Sequence, residues 1–207
     1  MKNRTIPSTL AIFACAALAL PHAANAHHAM GKATPATLFQ GLLSGLAHPV
    51  IGLDHLLFVL AVGAVCCYFG RGAGTVLAFI GGTLAGTLAH LYKASLPYPD
   101  LWVASSLVVV GILVFRGRSL LASNASTVIL GLCGIAHGYA YGESIFGAET
   151  TPLVAYLAGF TLVQLAIVFA GYGAARFAQT KLRETPSAAL GAALSVAGVV
   201  FFALALP

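Results

Sequence analysis

Apolar segments follow one another along this chain almost without interruption. They occur at about 35–47, 50–69, 73–93, 100–115, 122–142, 152–178 and 186–206, and are called A to G here. Charge is confined to the gaps. Only 7% of the 207 residues are charged, against roughly 25% in a soluble domain. Ten Lys and Arg with five Asp and Glu cannot coat a water-facing surface, which excludes a soluble enzyme. A helical crossing of a bilayer takes roughly 20 apolar residues. The fold class expected is therefore all-α, a polytopic membrane protein. The net charge of +5 does not indicate nucleic acid, because Lys and Arg stand at the ends of apolar runs rather than in a stripe interleaved with aromatics.

Residues 1–26 read as a secretory signal peptide. Lys2 and Arg4 precede the apolar stretch Leu10–Leu20, and Ala24-Asn25-Ala26 supplies the small-x-small cleavage site. Cleavage there starts the mature chain at His27-His28, leaving 27–207 as a single transmembrane domain with no linker or clear internal repeat. Cys15 is lost with the signal. Cys66, Cys67 and Cys133 lie inside apolar segments, form no CxxC pair, and read as small core residues.

Segment A is too short to cross alone at about 1.5 Å per residue. His48-Pro49-Val50-Ile51-Gly52 separates it from B, with Pro49 expected near the first position of helix B. A is thus expected to be a short interfacial or re-entrant helix, and B to G to be six transmembrane helices. With the mature N-terminus outside, Arg71, Arg116, Arg118, Arg176, Lys181 and Arg183 fall in cytoplasmic loops, and only Lys32 and Lys93 fall outside. A separate crossing by A would reverse that assignment against the positive-inside rule. The expected location is the bacterial inner membrane, with both mature termini periplasmic. Gly41 and Gly45, Gly82 and Gly86, and Gly138 and Gly142 are spaced to let helices approach closely.

This topology sorts the remaining polar residues. His48, Asp54 and His55 come at the outer start of B, His90 near the outer end of C, and His137 and Glu143 at the outer end of E. Ionisable residues at membrane depth are costly and line pathways or pair internally. His48, Asp54 and His55 form an H-x5-D-H pattern across a helix break, with His48 expected from the loop and the other two from the first turns of B. Imidazole nitrogen with carboxylate oxygen suits Ni, Co, Zn or Cu better than Mg or Ca. Asp54 also suits a helix start as a first-turn acid. His90 and His137 fit either a cation site, favoured by helix C-termini, or interhelical hydrogen bonds. Glu143 fits either charge compensation or a solvated loop. Tyr139 and Tyr141 fit an interfacial belt, Asp100 an N-cap, and Gln164 an interhelical bridge.

These residues bring in a resemblance. His48-Pro49-Val50-Ile51-Gly52-Leu53-Asp54-His55-Leu56-Leu57 looks like the signature of the HupE/UreJ family of bacterial inner-membrane nickel and cobalt permeases, linked to hydrogenase and urease maturation. The likeness runs from Gly41 to about Ala205. It continues through His137-Gly138-Tyr139-Ala140-Tyr141-Gly142-Glu143 and Thr151-Pro152-Leu153-Val154-Ala155-Tyr156. The second motif departs from the family pattern: Ala136 stands where a phenylalanine is expected, and Gly142 where a glutamate is, with Glu143 one place later. The resemblance implies that His48, Asp54, His55 and His137 bind or pass the metal.

The function expected is uptake of Ni2+ or Co2+ from the periplasm by a permease, not an enzyme, supplying hydrogenase, urease or cobalamin metallation. His48, Asp54, His55 and His137 form the site, with His90 and Glu143 beside it. The ion is cargo, and no prosthetic group is expected. Partners are the metal ion and the lipid bilayer, without nucleic acid; a homo-oligomer and downstream metallochaperones stay open. No Walker motif is visible, so ATP hydrolysis by this chain is not expected. Two alternatives come from other classes. An intramembrane zinc-dependent hydrolase needs three firm ligands and an acid–base carboxylate, yet no H-E-x-x-H helix occurs. The other is a metal-sensing or assembly membrane protein.

Overall fold

The computed structural model describes residues 33–116, 124–182 and 187–206. The expected signal peptide, His27, His28, Lys32, Arg118, Arg183 and Glu184 lie outside the described residues. Among the described residues the secondary structure is helical throughout: α1 Leu38–Ile51, α2 Leu53–Phe69, α3 Ala73–Leu91, α4 Pro99–Arg116, α5 Asn124–Glu143, α6 Thr150–Leu182 and α7 Ser187–Leu204. α1 opens with reciprocal capping. The Thr37 hydroxyl accepts from the Gln40 backbone N–H at 3.2 Å, and Gln40 Oε1 accepts from the Ala36 N–H at 2.9 Å. α2 closes on Gly70 in the left-handed region (φ 65°), whose N–H reaches the Cys66 carbonyl.

The break between α1 and α2 differs from the sequence expectation. His48 and Pro49 lie inside the last turn of α1, so neither is in a loop nor at the start of α2. One extended residue, Gly52 (φ −75°, ψ 107°), separates the helices, which bend by 80°. Proline lacks an N–H and crowds the carbonyl four residues back. Within the final turn that disturbance leaves few helical bonds to lose, and the chain turns three residues later instead.

Glycines couple the helices in three pairs. Gly41 abuts Pro152, Gly45 abuts Tyr156, and Gly63 abuts Val168 and Tyr172, so α1 and then α2 run along α6 in its own direction. Gly82 meets Gly131 and Ile135, Gly86 meets Ile135 and Tyr139, and Gly138 meets Thr83, making α3 and α5 parallel. Gly191 meets Phe115, Gly111 meets Ser195, and Gly198 meets Val108, making α4 and α7 antiparallel. A methyl group on Gly138 would overlap the Thr83 carbonyl, so the α3–α5 approach depends on its absence.

A core of Phe58, Val62, Phe79, Leu107, Leu130, Val168 and Leu194 joins α2, α3, α4, α5, α6 and α7. The outside is apolar too: Phe169 is 71% exposed and Leu77 67%. Apolar residues inside and outside fit a protein embedded in a bilayer. Among the described residues, α3, α4 and α6 are each long and apolar enough to cross, and α1 with α2 form a bent apolar pair with the length of a broken span or a re-entrant loop. This is fewer than six because α7 is a shorter apolar helix and α5 spends positions on Ser126, His137, Tyr139, Tyr141 and Glu143. Asp100 follows Pro99 inside the first turn of α4, where its charge complements the helix dipole.

Candidate functional site: a buried histidine cluster

The α1–α2 break delivers two imidazoles into the interior, and α5 brings a third to meet them. His48 on α1, His55 on α2 and His137 on α5 are all at most 1% exposed. His55 Nδ1 stands 2.7 Å from His137 Nδ1, a direct ring-to-ring hydrogen bond between two helices distant in sequence. The His48 ring lies 5.7 Å from that of His55, centroid to centroid, and its Nδ1 is 2.8 Å from the Ser144 hydroxyl. Asp54, also buried, accepts the His55 backbone N–H on Oδ1 at 2.8 Å, satisfying an orphan donor at the start of α2. Its carboxylate is thus held within the first turn beside the cluster.

Aromatic rings wall this group. Tyr141, one turn after His137, lies 4.9 Å from His48 and 4.7 Å from His55, centroid to centroid. Phe58, three residues after His55, packs against His137 at 4.2 Å, centroid to centroid, with the rings tilted by 34°. The Tyr156 hydroxyl donates to the Tyr141 carbonyl at 2.7 Å, tying α6 to α5. Tyr141 is completely buried, so it belongs to this wall and not to an interfacial belt. Ser106 of α4 closes the far side, with Oγ 2.8 Å from His137 Nε2.

The other expected site residues lie apart from this pair of rings. His90 packs on Tyr139 at 4.6 Å and Phe146 at 5.7 Å, over the position where a Gly142 side chain would begin. Gly138, Tyr139 and Gly142 face α3, whereas His137 and Tyr141 face the interior, so His90 is on the other side of α5 from the cluster. Glu143 is solvent-exposed at the end of α5. Gln164 is buried and reaches Thr83 of α3 from α6 at 3.5 Å, a bridge between helices. Among the described residues, no three His, Cys, Asp or Glu side chains converge closely enough to form a metal shell by themselves. Cys66, Cys67 and Cys133 are free thiols. Ser106, Ser144 and Phe58 had no sequence signal of their own, because hydroxyl and aromatic residues are common in apolar helices, whereas Tyr156 closes one of the motifs that carry the family resemblance. Tyr141 had one, its spacing of one helical turn from His137.

The fold and cluster define a helical membrane protein with a broken helix carrying imidazoles into its interior. The chain belongs to the HupE/UreJ protein family, whose pattern matches residues 15–201. It is 28% identical over 201 residues to Protein HupE of Rhizobium leguminosarum bv. viciae, an alignment covering 96% of this chain and 97% of that one. No solved structure matches it.

Proposed function

We propose that this protein is a bacterial inner-membrane permease that carries Ni2+ or Co2+ from the periplasm to the cytoplasm. In this reading residues 1–26 are a cleaved signal peptide and 27–207 form one transmembrane domain. α1 with α2 makes one broken crossing and α3 to α7 make five more, with both mature termini periplasmic. The helix directions support this. α2 is parallel to α6, α3 is parallel to α5, and α4 is antiparallel to α7, as strict alternation of six crossings requires. The chain performs transport and catalyses no covalent reaction.

The observation that carries the reading is the pair of Nδ1 atoms 2.7 Å apart on His55 and His137. Two ring nitrogens so close must share either a proton or a metal ion. Cis positions on a metal with bonds of about 2.1 Å are roughly 3.0 Å apart at a right angle and roughly 3.4 Å apart in a tetrahedron. The pair therefore opens by a few tenths of an ångström when a cation replaces the proton. His48 and Asp54, held beside the pair by the α1–α2 break, extend the donor set with one more imidazole and one negative charge. A neutral pair with partial, water-completed ligation binds weakly enough to let the ion leave, as conduction requires. The mixed nitrogen–oxygen set suits late first-row divalent ions.

Uptake of radiolabelled Ni2+ and Co2+ into proteoliposomes tests the proposal. Wild-type protein should accumulate one or both ions, and His55→Ala or His137→Ala should lower uptake at least tenfold with the protein still folded. Uptake absent in the wild type, or unaltered in both variants, contradicts it.

A further inference from the structure

We infer that Ser106 is a positioning residue: by accepting the His137 Nε2–H it fixes that ring's tautomer and turns a bare Nδ1 lone pair toward His55, ready for a divalent transition-metal cation. The use of that lone pair rests on the permease reading. The hydrogen-bond assignment does not.

The assignment follows from counting protons. A serine hydroxyl has one hydrogen to give. In α4 the Ser106 hydroxyl donates to the Val103 carbonyl at 2.6 Å, the back-bond common for helical serines. Its oxygen is then left only with acceptor capacity, so the 2.8 Å contact with His137 Nε2 requires the proton to sit on that nitrogen. A neutral imidazole carries one N–H, so His137 Nδ1 is a bare acceptor. The 2.7 Å separation from His55 Nδ1 then requires His55 to donate. The chain of donors therefore runs in one direction, from His55 to His137 to Ser106 to the Val103 carbonyl.

This direction makes the two rings unequal. His137 already has the form a ligating histidine takes, with one nitrogen bare and the other N–H anchored. Phe58 packs against the same ring at 4.2 Å and limits its rotation. His55 carries its proton on the facing nitrogen and must shift it to Nε2 before both Nδ1 atoms can face one cation. His137 is the preset ligand and His55 the responsive one. Without the Ser106 oxygen, nothing shown in the cluster favours the Nε2–H form of His137, and its bare nitrogen is no longer held toward His55.

Nitrogen-15 NMR of histidine-labelled, metal-free protein in nanodiscs tests this, with the His137 signals assigned by their loss in His137→Gln. The wild type should show a protonated Nε2 and a bare Nδ1. Ser106→Ala should give a tautomer mixture and about 10- to 100-fold weaker Ni2+ binding, the usual effect of removing an outer-shell partner. Ser106→Thr, which retains the hydroxyl, should restore both. A protonated Nδ1 or a doubly protonated ring in the wild type overturns the inference, as does Ser106→Ala with tautomer and affinity intact. If Ser106→Ala does not fold, the wild-type spectrum and Ser106→Thr still decide. The expected tautomer found together with no Ni2+ or Co2+ binding upholds the assignment and refutes the permease reading instead.

Discussion

Two buried phenols in the cluster wall do different work. The Tyr156 hydroxyl donates to the Tyr141 carbonyl across the α5–α6 interface, at 2.7 Å. The Tyr141 hydroxyl meets no hydrogen-bond partner among the described residues, and that residue contributes its ring to His48 and His55. Tyr156→Phe should therefore cost about 1 kcal/mol, the net worth of a typical buried hydrogen bond, whereas Tyr141→Phe removes an unpartnered hydroxyl and should be neutral or stabilising. Thermal unfolding in detergent micelles checks this, and equal losses for both variants would contradict the assignment. At this scale the sequence revealed the rare residues and hid the common ones. His48, Asp54, His55 and His137 stand out because ionisable groups are scarce in apolar helices. Ser106 and Ser144 do not, since a hydroxyl's role depends on which ring lies opposite, and that is set by tertiary packing. Whether His90 lay inside or outside the cluster was equally illegible. The answer depends on α3 packing against the glycine face of α5, away from His137.

Helix elements were easier to read. The ends of α3, α4, α5 and α7 fall within about three residues of the apolar runs, because loss of hydrophobicity and loss of helix coincide there. The paired glycines 41/45, 82/86 and 138/142 all lie at helix contacts, as their spacing indicated. The break was misplaced because Pro49 is a strong sequence signal, yet in a last turn it disturbs little. The bend falls on Gly52, whose extended backbone any residue adopts. The same packing separates two otherwise similar substitutions. Gly138→Ala drives a methyl into the Thr83 backbone, which cannot yield as a side chain can, and should destabilise the protein by about 1–3 kcal/mol. Gly81→Ala, on the open face of α3, should be neutral or stabilising by up to about 1 kcal/mol. Denaturant titration of the two variants side by side distinguishes them, and equal effects would show that the α3–α5 contact is looser than described.

For the whole molecule, the site exists only where separate helices converge. His55 comes from a helix packed on α6, His137 from one packed on α3, and Ser106 from one packed on α7, so all three glycine-coupled pairs contribute to one cluster. Among the described residues, no single helix gathers three His, Cys, Asp or Glu side chains around one point. The helical, membrane-embedded class was legible from the scarcity of charge. The convergence was not, because it depends on which helices pair. X-ray absorption at the nickel edge, on Ni2+-loaded protein purified without a histidine tag, reads the convergence directly. The spectrum should show scattering from at least two imidazole rings, reduced in His55→Ala and in His137→Ala alike. A spectrum free of imidazole scattering, or one that neither substitution alters, would mean that these two histidines do not share a metal ion.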